Sequence, residues 1–143
     1  MIIPSELNSF FKPNHFQNYP KIEIPQKFVD SRGAIMNIAD GKFSDVAVIE
    51  CKAGAIRANH IHQDDWHICY LVYGKMEYKW ADSIEAKPKS IQINKGELFY
   101  TPPKVPHLMK FIEDSCFIAV AKLSRLQDKY EDDTKRLENF FSA

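Results

Sequence analysis

The sequence has no excess charge of either sign, because nineteen Lys and Arg balance nineteen Asp and Glu. It sets up no overall field to draw in DNA, RNA or an anionic membrane surface, so nucleic acid drops out of the expected partners. No apolar run approaches the ~18 residues that a membrane helix requires. The opening Met1-Ile2-Ile3-Pro4-Ser5-Glu6 also lacks a cationic start followed by a long apolar stretch. The expectation is a soluble, unexported protein with no membrane partner. Cysteine is scarce and odd in number: Cys51, Cys69 and Cys116 each sit in an apolar strand-like run, and none belongs to a CxxC pair. They read as buried thiols in a reducing cytoplasm. Internal repeats, low-complexity tracts and flexible linkers are missing too, and 143 residues suit one domain, spanning 1–143, with a respectable core.

What is present is organised in three parts. Residues 1–26 carry Pro4, Pro13, Pro20 and Pro25, which interrupt helices and central strands alike and predict an arm wrapped around a body formed later. Residues 27–123 hold about ten short runs rich in β-branched and aromatic residues, bounded by turn formers and without a helical period. This pattern predicts an all-β sandwich or barrel, in which closure removes exposed sheet edges. In residues 124–142 the period changes: Leu126, Tyr130, Leu137 and Phe141 are spaced for one face of an α-helix, with charges over the rest.

Four of the five histidines lie between positions 60 and 107. A strand sends alternate side chains to one face, so His60 and His62 point together. His67 returns on the next strand after the polar turn Gln63-Asp64-Asp65, and His107 begins a later strand straight after the rigid Pro102-Pro103-Lys104-Val105-Pro106 segment. Neutral imidazoles converging on one point, each ~2.0 to 2.1 Å from zinc, are the usual protein set for zinc, iron or nickel. A site for one divalent transition metal on His60, His62, His67 and His107 is therefore expected; His15, alone in the arm, is left out.

These residues also match a family pattern. Gly54, five residues, His60-x-His62, four residues, His67, six residues and Gly74 resemble the first cupin motif, G(X)5HXH(X)3,4E(X)6G. Gly96, five residues, Pro102-x-Lys104, two residues and His107 resemble the second, G(X)5PXG(X)2H. The resemblance implies a cupin (RmlC-like) jelly-roll β-barrel, or double-stranded β-helix. The arm and the C-terminal helix would lie outside it. Two positions depart from the pattern: His67 replaces the motif's glutamate, and Lys104 replaces the second motif's glycine. With a carboxylate gone, a nitrogen-preferring metal is favoured over manganese or calcium, and a three-histidine site without His67 stays open as an alternative.

Around the site, Arg57 and Asn59 flank the first histidine, and cavity mouths gather polar side chains that orient a ligand. Alternation groups Cys69, Leu71 and Tyr73 with His67, and Met109 and Phe111 with His107, as an apolar lining. Asp64 and Asp65 read most simply as a solvated turn. Three short stretches resemble cupins of surface-polysaccharide and nucleotide-sugar pathways: Asp30-Ser31-Arg32-Gly33, Arg57-x-Asn59-His60-x-His62, and Tyr130-Glu131-x-Asp133-Thr134-x-Arg136. Ala58 stands where such relatives often show glycine. The resemblance implies a carbohydrate or nucleotide-sugar substrate, with Arg32 and Arg57 to grip phosphate.

The leading expectation is a metal-dependent isomerase or epimerase of a sugar or nucleotide sugar. An iron-dependent oxygenase and a non-catalytic small-molecule-binding cupin are the alternatives. A homodimer is expected from the resemblance and from the apolar residues Ile2, Ile3, Phe10 and Phe11 of the arm.

Overall fold

The computed structural model describes residues 3–141. Its strands are β1 (Lys21–Ile22), β2 (Gln26–Asp30), β3 (Gly33–Asn37), β4 (Asp45–Cys51), β5 (Ile56–His62), β6 (His67–Tyr73), β7 (Lys75–Trp80), β8 (Lys89–Asn94), β9 (Leu98–Thr101), β10 (His107–Phe111), β11 (Ser115–Ala121) and β12 (Thr134–Arg136). Among the described residues, a 3-10 turn spans Pro13–Phe16 and an α-helix, α1, covers Gln127–Asp133.

The strands form two five-stranded sheets, ordered β1-β9-β6-β11-β4 and β12-β5-β10-β7-β8. Between the sheets lies a core that includes Leu71, Tyr78, Phe99, Met109, Phe111 and Phe117. Period-2 alternation builds it directly: Met76, Tyr78 and Trp80 are the buried half of β7, while the residues between them are partly exposed. Each sheet keeps its edges, so the closed barrel expected from the sequence is corrected to two facing open sheets.

The first sheet is apolar on both faces. Ile68, Leu98, Tyr100 and Val120 point away from the inter-sheet core and are covered by Leu7, Phe11, Phe16 and Ile22. The proline-rich arm thus seals its own sheet. Phe11 is fully buried, and Phe10 and Ile3 pack beside it while keeping part of their surface open; Ile2 lies outside the described residues. Exposed apolar surface is found elsewhere, on the hairpin β2–β3, which pairs with no other described strand. Phe28, Val29 and Ile35 are open to solvent there, as are Val46 and Val48 on the edge strand β4.

The tail also departs from expectation. Helix α1 has seven residues, and Thr134–Arg136 then pairs antiparallel with β5 as β12. Asp128 stands in the helix's first turn and no basic residue in its last, and the ladder to β5 competes successfully for the segment beyond Asp133. The helix expected over 124–142 is therefore corrected to a short helix plus a strand, with Ser142 outside the described residues.

Candidate functional site

Strand β5 presents His60 and His62 to the same side, and both are buried. Opposite them, β10 pairs antiparallel with β5 and places His107 beside His60, after which the register slips so that Leu108 faces Ala58. Asn59 is left over at this bulge, and Ala58 and Asn59 both take positive φ, 67° and 60°. Bulges re-aim side chains next to functional sites, and this one turns His60 toward His107. The preference for glycine at position 58 acquires a physical reason, since a left-handed conformation suits a residue without Cβ.

The four histidines are all buried, but they divide into two groups. His60, His62 and His107 each bring a ring nitrogen within 4.8 Å of the others, and His62, which belongs to both groups, and His67 do so with a carboxylate oxygen of Asp65. Ring centres lie 4.4 Å apart for His60 and His62, 4.7 Å for His60 and His107, and 5.0 Å for His62 and His67. His67 is drawn away by Asp65, whose Oδ2 stands 2.9 Å from His67 Nε2. Asp65 is itself buried and takes the Leu123 N–H on its other oxygen, so its assignment to a solvated turn is corrected.

In the first group, one nitrogen of each ring is buried without a hydrogen-bond partner: His60 Nδ1, His62 Nε2 and His107 Nε2. His107 Nδ1 donates to the Val105 carbonyl at 3.0 Å, which leaves the lone pair on Nε2. Three buried nitrogens without partners are costly unless something binds them, and they fit a nitrogen-preferring divalent cation.

Electrostatics keep these rings neutral. Burial lowers His60 far below the ordinary imidazole range, helped by His107 and His62. Burial also lowers His62 to about 3, with His67 and His107 adding to it, and His107 to about 4 against the opposing hydrogen bond to Val105. Burial works to raise the Asp65 carboxyl, but the hydrogen bond and charge of His67 and the Leu123 amide outweigh it and hold the group below its usual range.

His60, His67 and His107 line a cleft of about 390 Å³ whose wall carries Arg57, Arg125, Arg136 and Tyr130, with Ile49, Ile56, Met109 and Phe117 supplying apolar surface. Arg57 Nε donates to Cys51 Sγ at 3.0 Å, Arg125 pairs with Asp45 at 3.3 Å, and Arg136 pairs with Glu131 at 2.7 Å. The Arg125 guanidinium also lies 5.9 Å from the Tyr130 ring centre. Burial raises the Tyr130 phenol, with Arg125 and Arg136 acting against it.

The remaining sequence candidates are scattered. Arg32 sits at the tip of the β2–β3 hairpin, 84 % exposed and paired with Asp30, and is absent from the cleft wall. Asn59 supplies its carbonyl to the Leu137 N–H, while its Oδ1 is buried without a partner. Cys69, Leu71 and Phe111 belong to the core between the sheets, and Tyr73 is exposed, so of the expected apolar lining only Met109 faces the cleft. Residues that sequence reasoning did not assign to the site are Arg125, Tyr130 and Arg136. The last two stand in the tail motif Tyr130-Glu131-x-Asp133-Thr134-x-Arg136, which was the available signal.

No protein-family model matches the chain, and no curated protein matches it at a significant level. Solved structures do. The dTDP-4-dehydrorhamnose 3,5-epimerase of Sulfolobus tokodaii superposes with a TM-score of 0.66 at 14% identity, over 83% of this chain and 77% of that one. The sugar 3,4-ketoisomerase QdtA of Thermoanaerobacterium thermosaccharolyticum, solved with TDP, gives 0.65 at 17% identity, over 80% and 85%. The capsular polysaccharide assembling protein CapF of Staphylococcus aureus gives 0.60 at 21% identity, over 85% of this chain and 35% of that one. The fold is thus the RmlC-like cupin fold.

Proposed function

We propose that the cleft is the active site of an isomerase or epimerase acting on a sugar or nucleotide sugar. One observation carries the reading: a buried acid–base pair, Asp65–His67, opens on the same cleft as three arginines and a protonated phenol. The arginines suit the charge of a phosphate or diphosphate, and the guanidinium fork matches its geometry. Ile49, Ile56 and Phe117 give the cleft an apolar wall on which a sugar ring can rest. The neighbouring folds point the same way, since one is named a dTDP-4-dehydrorhamnose 3,5-epimerase and another a sugar 3,4-ketoisomerase solved with TDP.

The chemistry follows from the hydrogen bond. Asp65 accepts the Nε2 proton of His67, so Nδ1 carries the lone pair and serves as base. It removes a proton from the carbon beside the substrate carbonyl, the electron pair moves onto the oxygen, and an enediolate forms. Tyr130 donates a hydrogen bond to that oxygen. Protonation of the opposite face by water, with His67 releasing the abstracted proton to solvent, gives an epimer; return by His67 to the adjacent carbon, with proton relocation between the oxygens, gives a ketoisomer.

His60, His62 and His107 would hold one zinc, iron or nickel ion, which when bound supplies positive charge to polarise the carbonyl. The Asp65–His67 pair works on carbon without that ion, so metal content and turnover are separate tests. The reading is tested by offering purified protein a panel of 4-keto nucleotide sugars and following products by proton NMR. Conversion of a member is expected; no conversion and no binding across the panel would reject it.

The separation of His67 from the triad also favours a second reading, an iron-dependent oxygenase with three histidine ligands and open positions for substrate and dioxygen. Oxygen uptake with ferrous iron and no proton exchange into a keto sugar would select it. A non-catalytic module with a closed four-histidine ion is less favoured, because His67 is committed to Asp65.

The working unit in this proposal is a homodimer in a reducing cytoplasm, consistent with three buried free thiols. Among the described residues no helix is long and apolar enough to cross a membrane. One chain carries both halves of a self-complementary contact: an apolar hairpin without a partner strand and a free sheet edge at β4. A twofold axis would close them on each other.

A further inference from the structure

The two nitrogens of His62 have different surroundings. Nε2 is buried without a partner, whereas Nδ1 lies 3.2 Å from Thr134 Oγ1. A hydroxyl has one hydrogen to give, and Thr134 donates its own to the Tyr130 carbonyl at 2.6 Å. Toward His62 the Thr134 oxygen can therefore only accept. The ring proton must sit on Nδ1, and the lone pair falls on Nε2.

Strand pairing makes this contact possible, because Thr134 is the register partner of His62 where β12 meets β5. Asp133, the residue before it, has Oδ2 3.7 Å from the same His62 Nδ1, where a carboxylate also favours the ring proton, and its hydrogen bonds reach the other half of the site. Asp133 accepts the Asp64 N–H on Oδ1 at 2.8 Å and the Asp65 N–H on Oδ2 at 2.9 Å, and its main-chain carbonyl accepts the Gln63 N–H at 2.9 Å. All three amides of the turn that carries Asp65 are thereby tied to one residue. Without that turn in place, Asp65 could not present its carboxylate to His67.

We propose that Thr134 is a positioning residue that sets the His62 tautomer, with its ligating nitrogen on Nε2, and that Asp133 beside it holds the turn bearing the Asp65–His67 pair. The junction of α1 and β12 thus organises both histidine groups without touching substrate. The inference rests on the reading that His62 belongs to the metal triad, and partners that orient a ligating histidine characteristically change metal affinity by about 10- to 100-fold when removed.

The test uses the full chain labelled with 15N-histidine and stripped of metal. Side-chain nitrogen shifts should show His62 protonated at Nδ1 in the wild type and in T134S, and a shift toward the Nε2–H form in T134V. Zinc affinity, read by competition with a chromophoric chelator, should fall about 10- to 100-fold in T134V and stay within about threefold in T134S. His62 protonated at Nε2 in the wild type overturns the assignment, even if T134V fails to fold. So does a T134V affinity within threefold of wild type. Wild-type protein that binds no zinc would overturn the metal reading alone, and the nitrogen shifts would still decide the role of Thr134.

Discussion

At the scale of single residues, the site is defined by which proton each imidazole carries and by what sits on its other nitrogen. His60, His62 and His107 are neutral in the fold because burial penalises the cation. In the unfolded chain the same rings take protons near pH 6.5. As pH falls below about 6.5 the unfolded state binds protons that the folded state refuses, so stability must drop with acid. The drop continues toward pH 4 and then 3, where His107 and His62 take theirs. Asp65 acts in the same direction, since its depressed pKa adds stability that acid removes. Urea midpoints of metal-stripped protein are expected to fall between pH 7 and pH 5; an unchanged midpoint would contradict the buried neutral triad. Replacing His60 and His62 together by alanine should abolish stoichiometric metal retention after purification without an affinity tag. Retained metal in that double variant would refute the triad as the ligand set.

At the scale of elements, alternation made the strands legible. The runs around His60–His62, His67 and His107 were found as strands, and on β5 alternation put both histidines on one buried face; β6 and β10 are buried almost throughout, so alternation did not say which of their residues line the cleft. The same alternation could not foresee the bulge at Asn59, which depends on the partner strand slipping its register. Nor could it separate His67 from the triad, because that follows from Asp65, a residue two positions away with the look of a turn former. The tail misled for a related reason. Its apolar spacing suits a helix, but seven helical residues end where β5 offers an unpaired edge for Thr134–Arg136. The bulge yields a prediction of its own: Ala58 stands at φ 67°, where an L side chain costs about 1 kcal/mol relative to glycine. A58G should raise the urea midpoint by the equivalent of about 1 kcal/mol; a lower midpoint would show that the conformation at this position is not the one described.

At the scale of the whole molecule, the motifs located the fold, the histidines and Arg57, while Arg125, Arg136 and Tyr130 came from a distant segment that reaches the site only through tertiary structure. The arm carried the opposite lesson. Phe10 and Phe11 looked available to a partner, yet the first sheet needed cover on its outer face and took Phe11 entirely and Phe10 in part. Exposed apolar surface lies instead on the β2–β3 hairpin and the β4 edge. Sedimentation at micromolar concentration is therefore expected to give twice the 16.6 kDa of one chain, and a charge placed at Val48 should shift it to monomer. A single chain in the wild type would count against the dimer.

The central claim is that His67, backed by Asp65, moves a proton on carbon in this cleft. It is tested most directly by incubating the protein with a 4-keto nucleotide sugar in deuterium oxide and reading the carbon beside the carbonyl by NMR. Deuterium should appear there with the wild type, and the rate should fall by about 10²- to 10⁴-fold in H67A while nucleotide-sugar binding persists. Incorporation at an unchanged rate in H67A, or none with the wild type bound to the same compound, would contradict the account.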